Sequence, residues 1–352
     1  MSIDSHKRAL LITSQYNIKY LSGFTGSKAT ILKIREAYYF FTDSRYEGEA
    51  SKVIPKSFHI SIYKKGEFEE AFKKILKKHK VSKIHFEADH LTLTSLRTWR
   101  KLSSPAKLIP GRREIEAMRA KKTKEEIRLL TASQRINEQV FYTALKLLKT
   151  GVTEKEIAWK IRILAHDLGA EDLSFEPIIA FGKASAVPHH QNTNRKLTKG
   201  DMILVDMGVK YKGYCSDMTR TLFTKAPTAE QAKVYETVLN AQKHTINHLK
   251  TGITGHKAWR LAADIITSEG YGENFTHGLG HGTGLQIHES PSLAPKSRDK
   301  IEAGMIVTIE PGIYLPNKFG VRIEDMGVLT KSGFENFTKI PKELKDSIIK
   351  LK

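Results

Sequence analysis

Two aspartates, Asp206 and Asp217, lie inside the apolar, alternating segment VDMGVKYKGYCSDMTRT (205–221). Strand interiors disfavour Asp, and a buried carboxylate is costly unless it is paired, hydrogen-bonded or bound to a metal. The segment reads as a β-hairpin. A turn centred between Tyr211 and Lys212 sets Asp206 opposite Asp217 on one face, with Cβ atoms about 5 Å apart. Carboxylates that close repel unless a proton or a cation lies between them. A second hairpin, MIVTIEPGIYLPNKFGVRIEDMGV (305–328), centred on Asn317, opposes Glu310 and Glu324 in the same way. Between the hairpins, HGLGHGTGLQIHES (277–290) carries His277, His281 and His288 in a glycine-rich frame. Those glycines could cradle a phosphate, but no Lys-Ser/Thr signature or helix start accompanies them. Four carboxylates and one imidazole instead suit a dinuclear metal site. Oxygen-rich ligation favours manganese, cobalt or iron over a cysteine-type zinc centre. Two ions roughly 3.5–4 Å apart, bridged by carboxylates and a hydroxide, would supply a nucleophile at neutral pH. A lone strand aspartate is more often a bulge residue and a lone histidine a core group. Two opposed acidic pairs flanking a histidine loop favour a site over packing.

Positioning these groups requires two similar frames, and the sequence supplies them. KTGVT (149–153) separates a helix over 123–149 from a second helix starting at Thr153, where Glu156 completes a capping box. KTGIT (250–254) likewise separates helices over about 228–249 and 254–269. Each helix pair is followed by strands ending in a hairpin, near 203–222 and 305–329, so two related halves about a shared cleft are expected. Ahead of them, RALLIT (8–13), ATILKI (29–34), AYYFFTD (37–43), FHISIY (58–63) and KIHFEAD (83–89) read as strands, with helices over about 67–80 and 94–102. SSPAKLIPGRR (103–113) is the expected boundary, dividing the chain into residues 1–111 and 112–352. The fold class is α/β (α+β).

The chain has 352 residues, enough for two domains, and one cysteine, Cys215, which excludes a disulfide framework and fits a reducing compartment. Alternation puts Cys215 on the face of Asp217, where it reads as a small packed residue. No apolar run approaches the ~20 residues of a membrane helix and the start carries no export signal, so a cytoplasmic protein is expected. Lys plus Arg number 58 against 38 Asp plus Glu, a formal +20. The lysines scatter along helix faces such as FKKILKKHK (72–80) without a nucleic-acid motif, which argues for a solvated surface and no specific nucleic acid.

At LVDMGVKYKGYCSDMTRT, THGLGHGTGLQIHE, IVTIEPGIY and GVRIED the sequence resembles the "pita-bread" metallopeptidases, the group of methionine aminopeptidase, aminopeptidase P and prolidase. From Arg112 onward the resemblance covers the catalytic domain. YLSGFTGSKATIL and YYFFTDSRY resemble the smaller N-terminal domain of the aminopeptidase P, prolidase and creatinase branch, which disfavours methionine aminopeptidase. The resemblance implies two divalent metal ions, most often Mn2+ (Co2+, Zn2+ or Fe2+ as alternatives), ligated by Asp206, Asp217, His281, Glu310 and Glu324. Asp217 and Glu324 would bridge, Asp206 would hold one ion, and His281 with Glu310 the other. Glu310 would also be the general base. FGKASAVPHH matches the family at His189, which with His288 would flank the scissile bond. His277 and Arg322 would support the ligands. His190 departs from the pattern and is expected to be an exposed neighbour without a role. The implied reaction is hydrolysis of Xaa-Pro bonds in proline-containing peptides or dipeptides, by a homodimer. Where some prolidases carry HExPR, this chain has His288-Glu289-Ser290-Pro291-Ser292, which tilts the expectation toward an Xaa-Pro aminopeptidase, with the dipeptidase as alternative. Metal-free creatinase-like hydrolysis and a non-enzymatic binding module are the remoter readings. Against the former, no ligand position is replaced.

Overall fold

The structure, a computed structural model, describes residues 8–351. The chain divides into two compact units, one ending at Ala117 and one beginning at Met118.

The first unit runs β1 (Arg8–Ile12), α1 (Gln15–Ser22), β2 (Ala29–Ile34), β3 (Ala37–Asp43), α2 (Glu47–Val53), β4 (Phe58–Tyr63), α3 (Phe68–Lys78), β5 (Lys83–Phe86), α4 (Leu93–Ser103) and β6 (Lys107–Pro110). Its six strands form one mixed sheet in the order β4-β3-β2-β1-β5-β6. Ala9, Leu11, Ile84 and Phe86 pack against Phe72 and Leu76 of α3 and Trp99 of α4. On the other face, Leu10, Ile12, Ile31 and Phe40 meet Ile18 of α1 and Ala50 of α2. Burial on both faces is why these strands read as near-continuous apolar runs. The segment expected as a boundary behaves differently: β6 lies within it and pairs in parallel with β5. Pro110 is accommodated because β6 is an edge strand.

The second unit contains α5 (Glu114–Ala120) from its midpoint onward, then α6 (Lys124–Leu145) and α7 (Glu154–Asp167). The strands β7 (Asp172–Leu173), β8 (Ile178–Phe181), β9 (Met202–Met207), β10 (Val209–Tyr211), β11 (Tyr214–Cys215) and β12 (Met218–Phe223) follow. The pattern then repeats as α8 (Ala229–His248), α9 (Gly255–Ser268), β13 (Gly280–Gly282), β14 (Glu289–Leu293), β15 (Ile306–Ile309), β16 (Gly312–Leu315), β17 (Phe319–Arg322), β18 (Asp325–Thr330) and β19 (Gly333–Asn336). Thr123, Thr153, Thr228 and Thr254 each cap a helix, the first three with a full capping box. The start of α7 is held to a loop by a Thr153–Lys196 bridge and the start of α9 by a Thr254–Lys300 bridge. Each half has its own core. Phe141, Ile157 and Ile161 pack on Ile179, Ile203 and Leu222, and Val234, Val238, Ala262 and Ile266 pack on Val307, Ile309 and Val321.

The second hairpin has the expected register. β15 pairs with β18 through Ile309↔Asp325, and β16 with β17 through Gly312↔Arg322, on either side of Glu310 and Glu324. Asn317, at the centre of the turn, takes a left-handed φ of 62°. In the first hairpin the register differs from expectation. Tyr211 pairs with Tyr214 and Asp206 with Thr219, not with Asp217. The turn residues are Lys212 and Gly213, both left-handed (φ 48° and 82°). Such a two-residue turn needs positive φ at both centres, and glycine meets that at little cost where Tyr211 would not. The partner of Asp206 therefore moves by two positions. Because side chains alternate with period two, Asp217 stays on the same face as a diagonal neighbour.

Among the described residues, no helix is long and apolar enough to cross a membrane.

Candidate metal centre

Asp206 is the penultimate residue of β9, Asp217 precedes β12, His281 is the middle residue of β13, and Glu310 and Glu324 stand where the second hairpin passes from one strand pair to the next. Close backbone approach makes this convergence sterically feasible. A Cβ on Gly208 would lie 2.0 Å from the Ser216 carbonyl oxygen, and one on Gly280 would lie 2.1 Å from that of Thr308. The result is a cavity of about 370 Å³, lined by all five of these residues together with His189, His277, His288 and Arg322.

Ligand-capable atoms of Asp217, His281 and Glu324 lie within 4.8 Å of one another. His281 Nε2 is 3.5 Å from Asp217 Oδ2 and 3.4 Å from Glu310 Oε1. Its Nδ1 is 3.1 Å from the Gly282 carbonyl oxygen, an acceptor that fixes the ring proton on Nδ1 and leaves the Nε2 lone pair facing the acids. Burial, with the neighbouring His288, lowers the His281 pKa to about 3. Burial pushes the Asp217 carboxyl well up, with Glu324, Asp206 and Glu310 adding to it. Burial likewise raises Glu324, with Glu310 and Asp206 adding, and takes Glu310 to about 8, against the opposing charge of Arg322. Oδ1 of Asp206 and Oε1 of Glu324 are buried without a hydrogen-bond partner. Mutually repelling acids, orphaned carboxylate oxygens and a neutral imidazole form a donor set that fits divalent cations.

One cation of the chain already sits beside the acids. Arg322, 3% exposed, donates to Asp206 Oδ2 at 2.5 Å, to Tyr314 Oη at 2.7 Å, to Thr219 Oγ1 at 3.2 Å and to the Pro188 carbonyl at 3.2 Å. Tyr314 Oη is 2.9 Å from His277 Nε2. His277 and Arg322 are thus linked, through a tyrosine that sequence reasoning passed over. Its signal was strand alternation, which puts residues 310, 312 and 314 on one side of the second hairpin. Also missed were the hydroxyls that steer the acids: Thr219 donates to Glu324 Oε2 (2.7 Å) and Thr308 to Glu310 Oε1 (3.2 Å).

His189 and His288 are both exposed at the cavity wall, and the His288 ring packs 4.3 Å from that of His281. Phe175, Ile178, Pro188 and Ile287 supply apolar wall. Cys215 is buried, with Sγ 3.9 Å from the Leu285 carbonyl oxygen, and is not part of the lining. His190 corrects the sequence reading. It is not an exposed neighbour: Nε2 lies 2.8 Å from Oε2 of the wholly buried Glu154. The expectation failed because Glu154 comes from a helix start remote in sequence.

Two related helix-helix-hairpin halves enclosing a cage of acids and histidines define a pita-bread metal-dependent hydrolase. Residues 128–331 match the model of metallopeptidase family M24, and residues 4–121 match that of the creatinase/prolidase N-terminal domain. The chain belongs to metallopeptidase family M24. Among solved structures it is similar to an Xaa-Pro dipeptidase from Bacillus anthracis (38% identity, TM-score 0.92, covering 96% of this chain and 94% of that one). It is also similar to an X-Pro aminopeptidase from Thermotoga maritima (34%, TM-score 0.88, 96% of both). A third is the prolidase from Pyrococcus furiosus (31%, TM-score 0.87, 95% of this chain and 96% of that one).

Proposed function

We propose that this protein hydrolyses Xaa-Pro bonds, with the dipeptide Xaa-Pro as preferred substrate. The tilt toward aminopeptidase drawn from Ser292 gives way to near-full-length likeness to proteins named as an Xaa-Pro dipeptidase and a prolidase. Asp206, Asp217, His281, Glu310 and Glu324 would hold two divalent ions, with Asp217 and Glu324 shared. The observation that carries this is the Asp217–His281–Glu324 cluster with its orphaned carboxylate oxygen. Manganese suits the oxygen-rich set. When bound, the ions supply Lewis-acid activation of water and of the scissile carbonyl.

The chain's own residues do the rest. Glu310, whose Oε1 lies 3.4 Å from His281 Nε2 in the cavity, takes the proton of the attacking water and passes it on toward the leaving nitrogen. An imide nitrogen has no hydrogen to donate, so the proline ring is recognised by shape, through Phe175, Ile178, Pro188 and Ile287. His189 and His288 stand at the wall to donate hydrogen bonds as charge develops on the carbonyl oxygen and the leaving nitrogen. His277, through Tyr314, and Arg322 hold Asp206 in its rotamer.

A second reading, removal of the first residue from longer Xaa-Pro-Yaa peptides, is favoured by one observation. Among the described residues, the only Arg or Lys in the cavity lining is Arg322, already engaged with Asp206, so none of them offers a dedicated guanidinium to a free C-terminal carboxylate. Initial rates on Xaa-Pro and Xaa-Pro-Yaa with manganese added decide between the two. A folded protein without metal-dependent cleavage of either refutes both.

A further inference from the structure

The cavity wall that carries His189 is tethered from behind. Pro188 and His189 line the candidate site, whereas His190, Gln191 and Asn192 face a second cavity. Glu154, first residue of α7 and wholly buried, reaches this loop. Its Oε2 accepts from His190 Nε2 (2.8 Å), Thr193 N (2.8 Å) and Thr193 Oγ1 (2.7 Å), and its Oε1 accepts from Phe181 N (2.9 Å). Since a carboxylate only accepts, His190 carries its proton on Nε2. The helix dipole favours the charge at this position.

The second half of the unit shows that the architecture does not require this carboxylate. There Gly255 occupies the place of Glu154. Gly255 N donates to the Asp299 carbonyl as Glu154 N donates to that of Arg195, and the neighbouring Thr–Lys bridges and Gly151/Gly252 bonds recur. There the helix start docks on its loop through the same backbone bonds with no side chain. Glu154 adds something to the first half alone, and three of its four bonds go to residues 190–193, next to His189.

We propose that Glu154 and His190 are positioning residues that act through His189, fixing the 189–190 peptide so that the exposed His189 ring points at the scissile bond. The inference rests on the reading of His189 given above. An exposed imidazole on an untethered loop samples several orientations, and displacement by about 1 Å costs up to 100-fold in rate.

The test measures kcat and KM on Xaa-Pro with manganese for His190→Ala, His190→Gln and Glu154→Gln, and for His190→Ala in a His189→Ala background. His190→Ala should lower kcat/KM by about 10- to 100-fold with manganese content unchanged. His190→Gln, whose amide nitrogen can replace Nε2, should recover at least a third of the activity. Glu154→Gln should behave like His190→Ala, because its amide NH2 meets donors. With His189 absent, His190→Ala should change the rate less than twofold. Full activity in His190→Ala, equal losses in the alanine and glutamine variants, or the same loss in both backgrounds overturns the proposal. The alanine–glutamine contrast decides alone if His189→Ala is undetectably slow. Wild-type activity in His189→Ala would refute the role of His189 itself, and a lack of any metal-dependent cleavage would refute the function.

Discussion

Replacing Arg322 by Leu isolates the balance of charge in the cavity. The guanidinium is the fixed cation facing Asp206, and it makes four hydrogen bonds from a position 3% exposed. Removing one partner of a buried ion pair leaves the other charge uncompensated and costs about 3–5 kcal/mol. At roughly 2–4 °C per kcal/mol for a unit of this size, the metal-free protein should melt about 10 °C lower. Divalent cations offer Asp206 another counter-charge, so saturating manganese should shrink the deficit to about 1–2 kcal/mol, the remainder being the bonds to Tyr314, Thr219 and Pro188. Arg322→Lys keeps the charge but not the fork and should fall between. Urea unfolding in chelator and in manganese measures both differences. A loss below about 1 kcal/mol in chelator, or one of equal size in both conditions, would show that Arg322 does not serve as the counter-ion deduced from its geometry.

Asp217→Ala should reduce turnover more than 1,000-fold while leaving the metal-free melting temperature unchanged or higher, because the carboxyl removed is one that burial and three acids already disfavour; near-normal turnover would refute its place in the ligand set. Metal-free stability should also respond to pH. Glu310 has a folded-state pKa of about 8, raised above the unfolded value near 4.3. Its contribution is complete below the unfolded value and lost as pH rises through about 8, so the chelated protein should melt higher at pH 6 than at pH 9, with manganese reducing the difference. Gly280→Ala should cost about 2 kcal/mol and weaken manganese binding measured by calorimetry, since the new Cβ meets the Thr308 carbonyl oxygen at 2.1 Å beside His281.

Much of this protein is written locally. Thr123 and Glu126, or Thr153 and Glu156, mark helix starts because a capping box needs only four residues. The register of the second hairpin is set by its own Pro-Asn-Lys turn. Misreading the first hairpin by two positions left Asp206 and Asp217 on the correct face, since side-chain direction repeats every second residue. The four acids were therefore legible as one set: their types, their alternation and the duplicated frame pointed to a shared cleft, while the choice of His281 and the place of His189 came from the family resemblance. The resemblance placed Arg322 and His277 behind them, and only the tertiary structure decided which atoms they meet and what else stands there. Arg322 bonds to Asp206, Tyr314 couples to His277, and Glu154 meets His190. Gly208 and Gly280 permit backbone approaches that no spacing reveals. These contacts join elements remote in sequence, so no period in the chain encodes them. Packing alone brings them within hydrogen-bond reach, and burial turns each into a determinant of charge and orientation.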